Sequence, residues 1–549
     1  MPDSGPGCVI LPLSCDLPDP ACTSETIPIG AHSPRRISYA DLPGRTIVTF
    51  ARPRSTRRLV VILAISTLLA VAPTPIADAE TNPTMLPESV GHAGRWLIDE
   101  SGRVLIPRGM NLIDVAPPYD PLVRGFGDAD AQLMADAGFT TMRIGPQWVA
   151  AEPEPGRYDE TYLAGFVDLV HLLNRHGMTP LIDFHQDNYG PAAGGEDGAP
   201  AWATLTDGLS KCLDPLGIVP CQTTAAWDHF WANALGPGGI GLQDRYAAYV
   251  AHVVRTLNQA DVRVLGYDMM NEPQAGSRQR SCLSPAGCPD LDRTQLAPMY
   301  RRVITAVRAV DPTSMLFYEP LALSSAAIEY DIPDLGDDHL GLSFHTYCPT
   351  FAVGHVVGTT VPGQPICLPF EDRVFDNAEN QARRTGDALL MTEFGSSTEL
   401  ARQTNIVELA DERMVGWMEW TYWNPINPRG YMLVGNLGEP RTGDNLDHAK
   451  LDVLTRPYPR AVAGTPTSYR YDVSTGIFTL SYTTTRADGT GRFSTGTATE
   501  IATPAGRYPH GYDVTITGGT IDSAPDAGVL RIATEAGATA VEVTVRPKR

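Results

Sequence analysis

Two glutamates draw attention because each closes a strongly apolar, strand-like run. Glu272 ends the run 263-RVLGYDMMNE-272, and Glu393 lies in the run 388-ALLMTEF-394. A buried strand rarely ends on a carboxylate without a chemical reason, because an unpaired buried charge is costly. Two opposed carboxylates on separate strands are the pair that glycoside hydrolysis uses, one as acid and one as nucleophile or base. The sequence therefore predicts a glycosidase site on Glu272 and Glu393.

The neighbours of the two glutamates suggest their roles. Glu272 follows Asn271, an amide that can hydrogen-bond a sugar 2-hydroxyl. Glu393 has candidate hydrogen-bond donors in Arg143 and Tyr347, which would keep a carboxylate ionised. We therefore predict Glu272 as the acid/base and Glu393 as the nucleophile.

Further polar or aromatic residues fall at the ends of other strand-like runs. Taken singly each is weak, since a lone histidine is more often structural and a lone arginine more often half of a salt bridge. Their joint position over six strands is what favours a site. Trp423 is the competing choice to Trp420, because the end of a strand predicted from sequence can shift by a few residues. The candidate substrate-binding residues are Asn271, His185, Asp187, His345, Tyr347, Trp420 and Arg143.

The elements that must position these residues alternate along residues 80–456. Apolar, strand-like runs are separated by longer helical stretches such as 159-DETYLAGFVDLVHLLNRHG-177. Eight strands alternating with helices predict an α/β fold, a (β/α)8 TIM barrel with its active site at the carboxyl ends of the strands. An open doubly wound sheet is the alternative, but no Gly-rich phosphate loop follows the first strand. The runs are 104-VLIPRGMNL-112, 139-FTTMRIG-145, 179-TPLIDFH-185, 263-RVLGYDMMNE-272, 314-SMLFYEP-320, 340-LGLSFH-345, 388-ALLMTEF-394 and 415-VGWMEW-420.

The pattern changes at about residue 457. Helical periodicity stops, and alternating runs such as 476-GIFTLSYTTT-485 and 539-TAVEVTVRP-547 appear. This alternation predicts a C-terminal antiparallel β-sandwich domain over residues 457–549. Such a domain either braces the barrel, which we favour slightly, or binds sugar or lipid.

The N-terminal segment has the features of a secretory signal. The basic stretch 51-ARPRSTRR-58 precedes the apolar run 59-LVVILAISTLLAVA-72, and 77-ADA-79 offers small residues for cleavage. We therefore predict a signal peptide over residues 51–79 and a secreted protein; a retained membrane anchor is the alternative. Residues 1–50 are Pro-rich and aperiodic. They are either a disordered extension or upstream of a true start near Val48.

The cysteines fit an exported protein. After the predicted signal they fall in three close pairs: Cys212 with Cys221, Cys282 with Cys288, and Cys348 with Cys367. Local pairing is the simplest of the possible connectivities, and no zinc-ligand spacing accompanies the pairs, so disulfides are favoured over a metal site.

Composition excludes one class of partner. The chain of 549 residues is 43% hydrophobic and 19% charged, as globular proteins are, and its formal net charge is −21. A nucleic-acid partner is not expected, because no basic surface is available to neutralise phosphates. We expect a monomer.

Three loops after predicted strands are long, namely 186–232, 273–298 and 346–380, which is uncommon unless a loop has a function. The first of these contains several large aromatic side chains. If exposed, they would form an apolar slot for a lipid; the alternative, favoured for at least half of them, is that they pack on the barrel. The residues are Trp202, Trp227, Phe230 and Trp231.

The motifs together resemble a known family. The set 185-HQD-187, 271-NEP-273, 345-HTY-347 and 392-TEFG-395 resembles glycoside hydrolase family five. The segments 181-LIDFHQDNYG-190 and 457-PYPRAVAGTPT-467 are similar to its bacterial endoglycoceramidase branch. The resemblance covers essentially the whole chain after the signal.

The resemblance implies a retaining glycosidase that needs no cofactor and no metal. Its substrate would be a glycosphingolipid, cleaved between glycan and ceramide, with transient contact to a membrane surface. The sequences 188-NYG-190 and 274-QAGS-277 depart from the family pattern, which leaves the glycan preference open. Alternative substrates are steryl glucosides, monoglycosylceramides and β-glucan polysaccharides. A second alternative is a non-catalytic glycolipid-binding protein.

Overall fold

A computed structural model describes residues 86–209, 220–348, 364–427 and 430–549. The predicted extension 1–50 and signal peptide 51–79 lie outside the described residues, as does Cys212.

The described chain contains nineteen strands, numbered here in chain order. They are β1 Val90–Ala93, β2 Trp96–Asp99, β3 Val104–Leu105, β4 Arg108–Leu112, β5 Thr141–Ile144, β6 Leu181–Asp183, β7 Gly266–Asp268, β8 Leu316–Tyr318, β9 Leu340–Thr346, β10 Ala388–Phe394, β11 Gly416–Trp423, β12 Tyr458–Val462, β13 Thr465–Asp472, β14 Ile477–Thr483, β15 Ala498–Ala502, β16 Tyr512–Thr517, β17 Gly519–Ile521, β18 Val529–Thr534 and β19 Ala540–Pro547.

Helices follow most of the barrel strands. None of the helices in the described part of the chain combines the length and the apolar character that crossing a bilayer requires. The α-helices are Pro121–Arg124, Asp128–Asp136, Trp148–Ala151, Glu160–Arg175, Cys221–Trp231, Leu242–Gln259, Pro289–Leu291, Ala297–Arg308, Gln364–Thr385, Leu400–Arg413 and His448–Leu454.

Strands β4 to β11 close into a parallel barrel. Each strand pairs with its neighbours in the chain, and β11 closes the ring on β4 through the pair Trp417 and Arg108. The predicted TIM barrel is therefore confirmed, and the open doubly wound sheet is excluded. Gly138 and Gly177 adopt positive φ values of 87° and 75° just after two of the helices, the conformation that favours glycine at a helix end.

The predicted first strand, 104–112, is divided in two. Residues Arg108–Leu112 form barrel strand β4, whereas Val104–Leu105 form β3, which pairs antiparallel with β12. Pro107 stands between the two strands, and proline lacks the N–H that a continuous ladder needs. Strands β1 to β3 therefore join the sheet of the C-terminal domain, although the sequence placed them with the barrel.

The C-terminal domain contains the predicted antiparallel sheets. One sheet has the order β1-β2-β3-β12-β15-β18-β17 and the other β13-β14-β19-β16. Side chains of both sheets share one core, in which Tyr458 and Ile501 of the first meet Phe478 and Val543 of the second. The two sheets therefore form a sandwich, as predicted.

Arg108 joins the barrel to this sandwich. It is buried at the start of β4, forms an ion pair with Asp411 and stacks its guanidinium 4.2 Å from the ring centre of Tyr458 in β12. A C-terminal domain that braces the barrel is expected to make contacts of this kind.

Two of the predicted disulfides are present, Cys282–Cys288 and Cys348–Cys367. Cys221 is also disulfide-bonded. Its predicted partner, Cys212, lies outside the described residues.

Candidate active site

All nine predicted site residues lie at the carboxyl ends of barrel strands. Because all strands of this barrel are parallel, their carboxyl ends meet at one face, where TIM-barrel sites form. The residues lie in or directly after their strands: Arg143 in β5, His185 and Asp187 after β6, Asn271 and Glu272 after β7, His345 in β9 and Tyr347 after it, Glu393 in β10 and Trp420 in β11.

The two predicted catalytic glutamates face each other across His345. One carboxylate oxygen of Glu272, one of Glu393 and one ring nitrogen of His345 all lie within 4.8 Å of one another. The His345 Nδ1 atom is 2.9 Å from Glu272 Oε1 and 3.5 Å from Glu393 Oε2. At this spacing one carboxylate can reach an anomeric carbon while the other reaches the oxygen bonded to that carbon.

Glu393 is held by two donors and is almost fully enclosed. Arg143 Nη1 donates to its Oε1 at 2.6 Å, and the Tyr347 hydroxyl donates to its Oε2 at 2.9 Å. Both donors were predicted from the sequence. Burial nevertheless raises the pKa of Glu393 above its ordinary value, with the charge of Glu272 adding to the rise and His345 and Arg143 opposing it. The net direction is therefore opposite to the one that the predicted donors alone would give, because burial outweighs them.

Glu272 is more open and is fixed by its backbone. Its side chain keeps 27% exposure, against 6% for Glu393, so it borders the cleft. Its φ of 41° lies in the left-handed region, which a residue other than glycine occupies at a cost. Its backbone N–H donates to Glu319 Oε2 at 2.8 Å, which holds this strained residue in place.

Arg143 is a buried cation beneath the two glutamates and pairs with several carboxylates. It is fully buried, and its guanidinium lies within 3.0 Å of Asp183, Asp268, Glu319 and Glu393. Burial opposes its charge, but these four carboxylates outweigh burial and raise the pKa of Arg143 well above its ordinary value. It also donates to Oδ1 of Asn271 at 3.0 Å.

Glu319 is a site residue that sequence reasoning missed. One of its oxygens accepts from Arg143 at 3.0 Å and lies 3.2 Å from His345 Nε2, while the other accepts the Glu272 N–H. Burial disfavours a charged imidazole, but Glu319 and then Glu393 outweigh it and raise the pKa of His345 well above its ordinary value. The signal was present in 318-YEP-320, a carboxylate directly after a strand, as in 271-NEP-273.

His185 and Trp420 form one wall of the site. Their rings stack with centres 5.4 Å apart and an angle of 14°. Trp423, the competing candidate, instead lies in the barrel core with the Arg124 guanidinium 5.9 Å from its ring centre. The structure therefore places Trp420, and not Trp423, beside the predicted sugar-binding residues. Asp187, at 37% side-chain exposure, opens to the cleft next to His185.

Asn271 is buried after the end of β7, and both the oxygen and the nitrogen of its amide form hydrogen bonds within the protein. Its Oδ1 accepts from Arg143, and its Nδ2 donates to the Gln186 carbonyl at 3.1 Å. Gln186 in turn donates to the carbonyls of Asn271 and Glu272 at 2.8 and 2.9 Å. Gln186 was not singled out from the sequence, although it lies within the quoted motif 185-HQD-187.

Comparison with known proteins identifies the family. The profile described as Cellulase (glycosyl hydrolase family 5) matches residues 126–425, and that of the glycoside hydrolase family 5 C-terminal domain matches residues 456–546. The chain belongs to glycoside hydrolase family 5. It is therefore a glycoside hydrolase, and the predicted family resemblance is confirmed.

Similar proteins within this family carry related names. Endoglycoceramidase I of Rhodococcus hoagii (strain 103S) is 30% identical over 448 residues, which cover 80% of this chain and 84% of that protein. The structure of endo-glycoceramidase II from Rhodococcus sp. in complex with ganglioside GM3 has a TM-score of 0.66 at 28% identity, covering 83% of this chain and 99% of that one. The lactosyl-enzyme intermediate of the same enzyme has a TM-score of 0.64 at 28% identity, covering 83% and 100%.

The aromatic cluster of the first long loop does not form an open slot in this family 5 barrel. Trp227, Phe230 and Trp231 lie on the helix Cys221–Trp231 with at most 7% of their surface exposed. Trp202 is half-buried and donates its indole N–H to the Glu152 carbonyl at 3.0 Å. These aromatic side chains therefore pack on the barrel, as the alternative to a lipid slot predicts.

We expect Glu319→Gln to impair catalysis without unfolding the protein. The amide oxygen can still accept the Glu272 N–H, but the negative charge that favours protonated His345 is gone, so the pKa of His345 falls. We expect kcat/KM to drop by about 10²-fold, the order of one positioned proton-handling group. We also expect the alkaline limb of the pH–rate profile to move to lower pH, because His345 loses its proton earlier.

A pH titration of the His345 ring by NMR, alongside the pH–rate profile, measures this effect. Glu329→Gln is a suitable control, because Glu329 pairs with Arg373 at an exposed position. An unchanged pH profile in Glu319→Gln would show that Glu319 only shapes the backbone.

Proposed function

We propose that this glycoside hydrolase cleaves the β-glycosidic bond between glycan and ceramide of glycosphingolipids with retention of configuration. The observation that carries the proposal is the carboxylate pair: oxygens of Glu272 and Glu393 lie within 4.8 Å, together with His345. Retaining enzymes separate their two carboxyl groups by roughly 5–5.5 Å, whereas inverting enzymes leave room for a water molecule between them.

In the proposed first step, Glu393 attacks the anomeric carbon. The bond to the ceramide oxygen breaks, and Glu272 gives its proton to that oxygen, so that ceramide leaves as an alcohol. The environments fit these roles, since Arg143 and Tyr347 donate to the attacking carboxylate. Glu272 is the more exposed of the two and borders the cleft through which a leaving group departs.

In the proposed second step, a water molecule replaces ceramide. Glu272 takes a proton from the water, whose oxygen attacks the anomeric carbon and releases the carboxylate of Glu393. The free glycan and the starting enzyme result, so no cofactor is required. Two inversions at one carbon give net retention.

Substrate contacts are assigned to the residues around this pair. Trp420 offers an aromatic face for stacking on a sugar ring, and Asp187 is a partly exposed acceptor next to His185. His185 is the buried neighbour of both. The other predicted residues position the catalytic pair. His345, Tyr347 and Arg143 contact Glu272 or Glu393 directly, and Asn271 contacts Arg143.

The lipid part of the substrate is supported by the relatives, whose names describe endoglycoceramidases and whose structures include a ganglioside complex. Exposed apolar side chains at the catalytic face add to this support. They follow barrel strands at their carboxyl ends, where the active site lies, so they are placed for transient contact with a membrane surface. They are Leu209, Leu283, Leu368, Phe370 and Ile426, each 38% to 49% exposed.

We further propose that the protein is secreted as a monomer after cleavage of residues 51–79. The disulfides Cys282–Cys288 and Cys348–Cys367 support an oxidising destination, since such bonds persist outside the cytosol. N-terminal sequencing of the protein from the culture medium tests cleavage, and a mature chain that starts upstream of residue 80 would contradict it.

A glycolipid panel tests the proposed reaction. Purified protein is incubated with glucosylceramide, lactosylceramide, a ganglioside, a galactose-series glycolipid, a steryl glucoside and a soluble β-glucan. We expect intact oligosaccharide to be released from ceramide by the wild type. Cleavage of only the steryl glucoside, glucosylceramide or glucan would keep the chemistry and replace the substrate. Binding without any turnover would favour the glycolipid-binding protein.

A further inference from the structure

The loop after β6 brings a second group of ionisable side chains together beside the catalytic pair. One atom each of His185, Asp187 and Asp197 lies within 4.8 Å of the other two. The Asp187 backbone N–H donates to Asp197 Oδ1 at 2.8 Å, which fixes the loop so that both carboxylates approach the same imidazole. The proposed hydrolysis uses His185 and Asp187 but gives Asp197 no role.

His185 presents an unused nitrogen to the two aspartates. Its Nδ1 lies 2.6 Å from Asp183 Oδ2, which orients the ring. Its Nε2 is buried and has no hydrogen-bond partner among the described residues, and Asp187 Oδ2 lies 3.6 Å away. Once Nε2 has released its proton, as metal binding requires of a histidine ligand, its lone pair is available to a metal ion. A carboxylate behind a histidine in this way is the usual support of a metal-ligating imidazole.

Asp197 is the second unsatisfied group. It is completely buried, and its Oδ2 has no hydrogen-bond partner within the described part of the chain. Burial raises the pKa of Asp197 to about 8, and the negative charge of Asp187 adds to the rise against the opposing effect of His185. A bound cation would relieve both the burial cost and the repulsion between the two carboxylates.

We propose that His185 Nε2, Asp187 and Asp197 form a binding site for a divalent transition-metal ion of the zinc class. One imidazole nitrogen and two carboxylate oxygens are a ligand set that zinc accepts, and the 3.6 Å between His185 Nε2 and Asp187 Oδ2 is compatible with bonds of about 2.0–2.2 Å to a shared ion. Calcium prefers six or more oxygen ligands, so a site with a nitrogen and two carboxylates favours zinc over calcium.

The ion in this site inhibits the enzyme. Here the inference rests on the proposed function, which assigns His185 and Asp187 to the glycan. A bound metal ion occupies the carboxylate of Asp187, which can then no longer accept from the glycan. It also fixes the imidazole that stacks on Trp420. Zinc and glycan therefore compete, and zinc raises the apparent KM while kcat stays constant.

Isothermal titration of the full chain with zinc chloride, after removal of metal by a chelator, tests the site without any substrate. We expect one zinc ion to bind the wild type. We expect binding to be at least about tenfold weaker in both Asp197→Asn and Asp187→Asn. The Asp197→Asn amide oxygen still accepts the Asp187 N–H, and Asp187 is partly exposed, so one of the two variants is expected to keep the wild-type melting temperature.

Asp207→Asn is the matched control, because Asp207 forms a similar pair with His229 at the surface, 2.8 Å apart. Its affinity for zinc should equal that of the wild type. Equal zinc affinity in the wild type and in a folded Asp197→Asn or Asp187→Asn would overturn the site. Calcium binding as tight as zinc binding would overturn the assigned metal class.

Steady-state kinetics of the wild type and of each variant, measured with and without zinc, test the inhibitory role separately. Each protein with zinc is compared with the same protein without zinc. A fall in kcat without a change in KM would overturn competition with the glycan. If no glycolipid is hydrolysed at all, the proposed function fails, while the titration still decides whether the metal site exists.

Discussion

Replacing Glu393 with glutamine is expected to abolish glycolipid hydrolysis while leaving the protein folded. The amide has almost the shape of the carboxylate, and its oxygen can still accept from Tyr347. It cannot attack the anomeric carbon, and it no longer neutralises Arg143, which donates to Glu393 at 2.6 Å. We expect kcat to fall by about 10⁴-fold or more, as for loss of a nucleophile in other covalent mechanisms.

Steady-state kinetics and a covalent trap measure this prediction together. A 2-deoxy-2-fluoro glycosyl fluoride slows the second step, so the peptide that contains Glu393 should gain the mass of the sugar. Glu371→Gln is the matched control, because Glu371 is equally buried and pairs with Arg402 at 3.1 Å on a helix outside the site. Sugar attached to a peptide other than that of Glu393 would assign the nucleophile elsewhere.

The barrel could be predicted because its sequence pattern is local. Each strand is a short apolar run with a polar residue near its end, and Gly138 and Gly177 mark the ends of two helices, so element type and order follow from local patterns. The same pattern located the catalytic pair, since Glu272 and Glu393 break apolar runs. Once the strands are parallel, their carboxyl ends must converge, and the site follows from the topology.

The carboxylates beneath the site could not be predicted in the same way. Asp183 and Asp268 are the last residues of β6 and β7, but the apolar runs continue past them, so in the sequence they look like ordinary interruptions of these runs. Their function becomes visible only when Arg143 is seen between them, and that contact joins three strands. Glu319 carries the same signal as Glu272, a carboxylate after a strand, but it lies outside the motifs that resemble the family.

The strands that join the two domains could not be assigned to their sheets from the sequence either. Residues Val104–Leu105 and Arg108–Leu112 form one continuous apolar run, yet they belong to different sheets. Besides β2, β3 pairs with β12, more than three hundred residues later in the chain, and local periodicity contains no information on such a distant pairing. Pro107 was the only local sign of the break.

The role of Glu272 is best tested by varying the leaving group. In Glu272→Gln the amide cannot protonate the ceramide oxygen, so glycolipid hydrolysis should fall by about 10³-fold or more, within the range for loss of general acid catalysis. A nitrophenyl glycoside releases a stable phenolate that needs no proton. Its first step should therefore proceed at close to the wild-type rate and appear as a burst of nitrophenol.

The second step still requires Glu272, because the attacking water must lose a proton. After the burst, turnover of the nitrophenyl glycoside should be slow, and azide, which needs no general base, should restore it by forming the β-glycosyl azide. The azide attacks a covalent intermediate at Glu393, so the product should retain the configuration of the substrate. The carboxylate of Glu393 has an oxygen within 4.8 Å of the position of the lost acid. An α-azide would mean direct displacement and an inverting enzyme. Equal loss of activity on ceramide and nitrophenyl substrates, without azide rescue, would remove Glu272 from proton transfer and leave it as a positioning residue for His345.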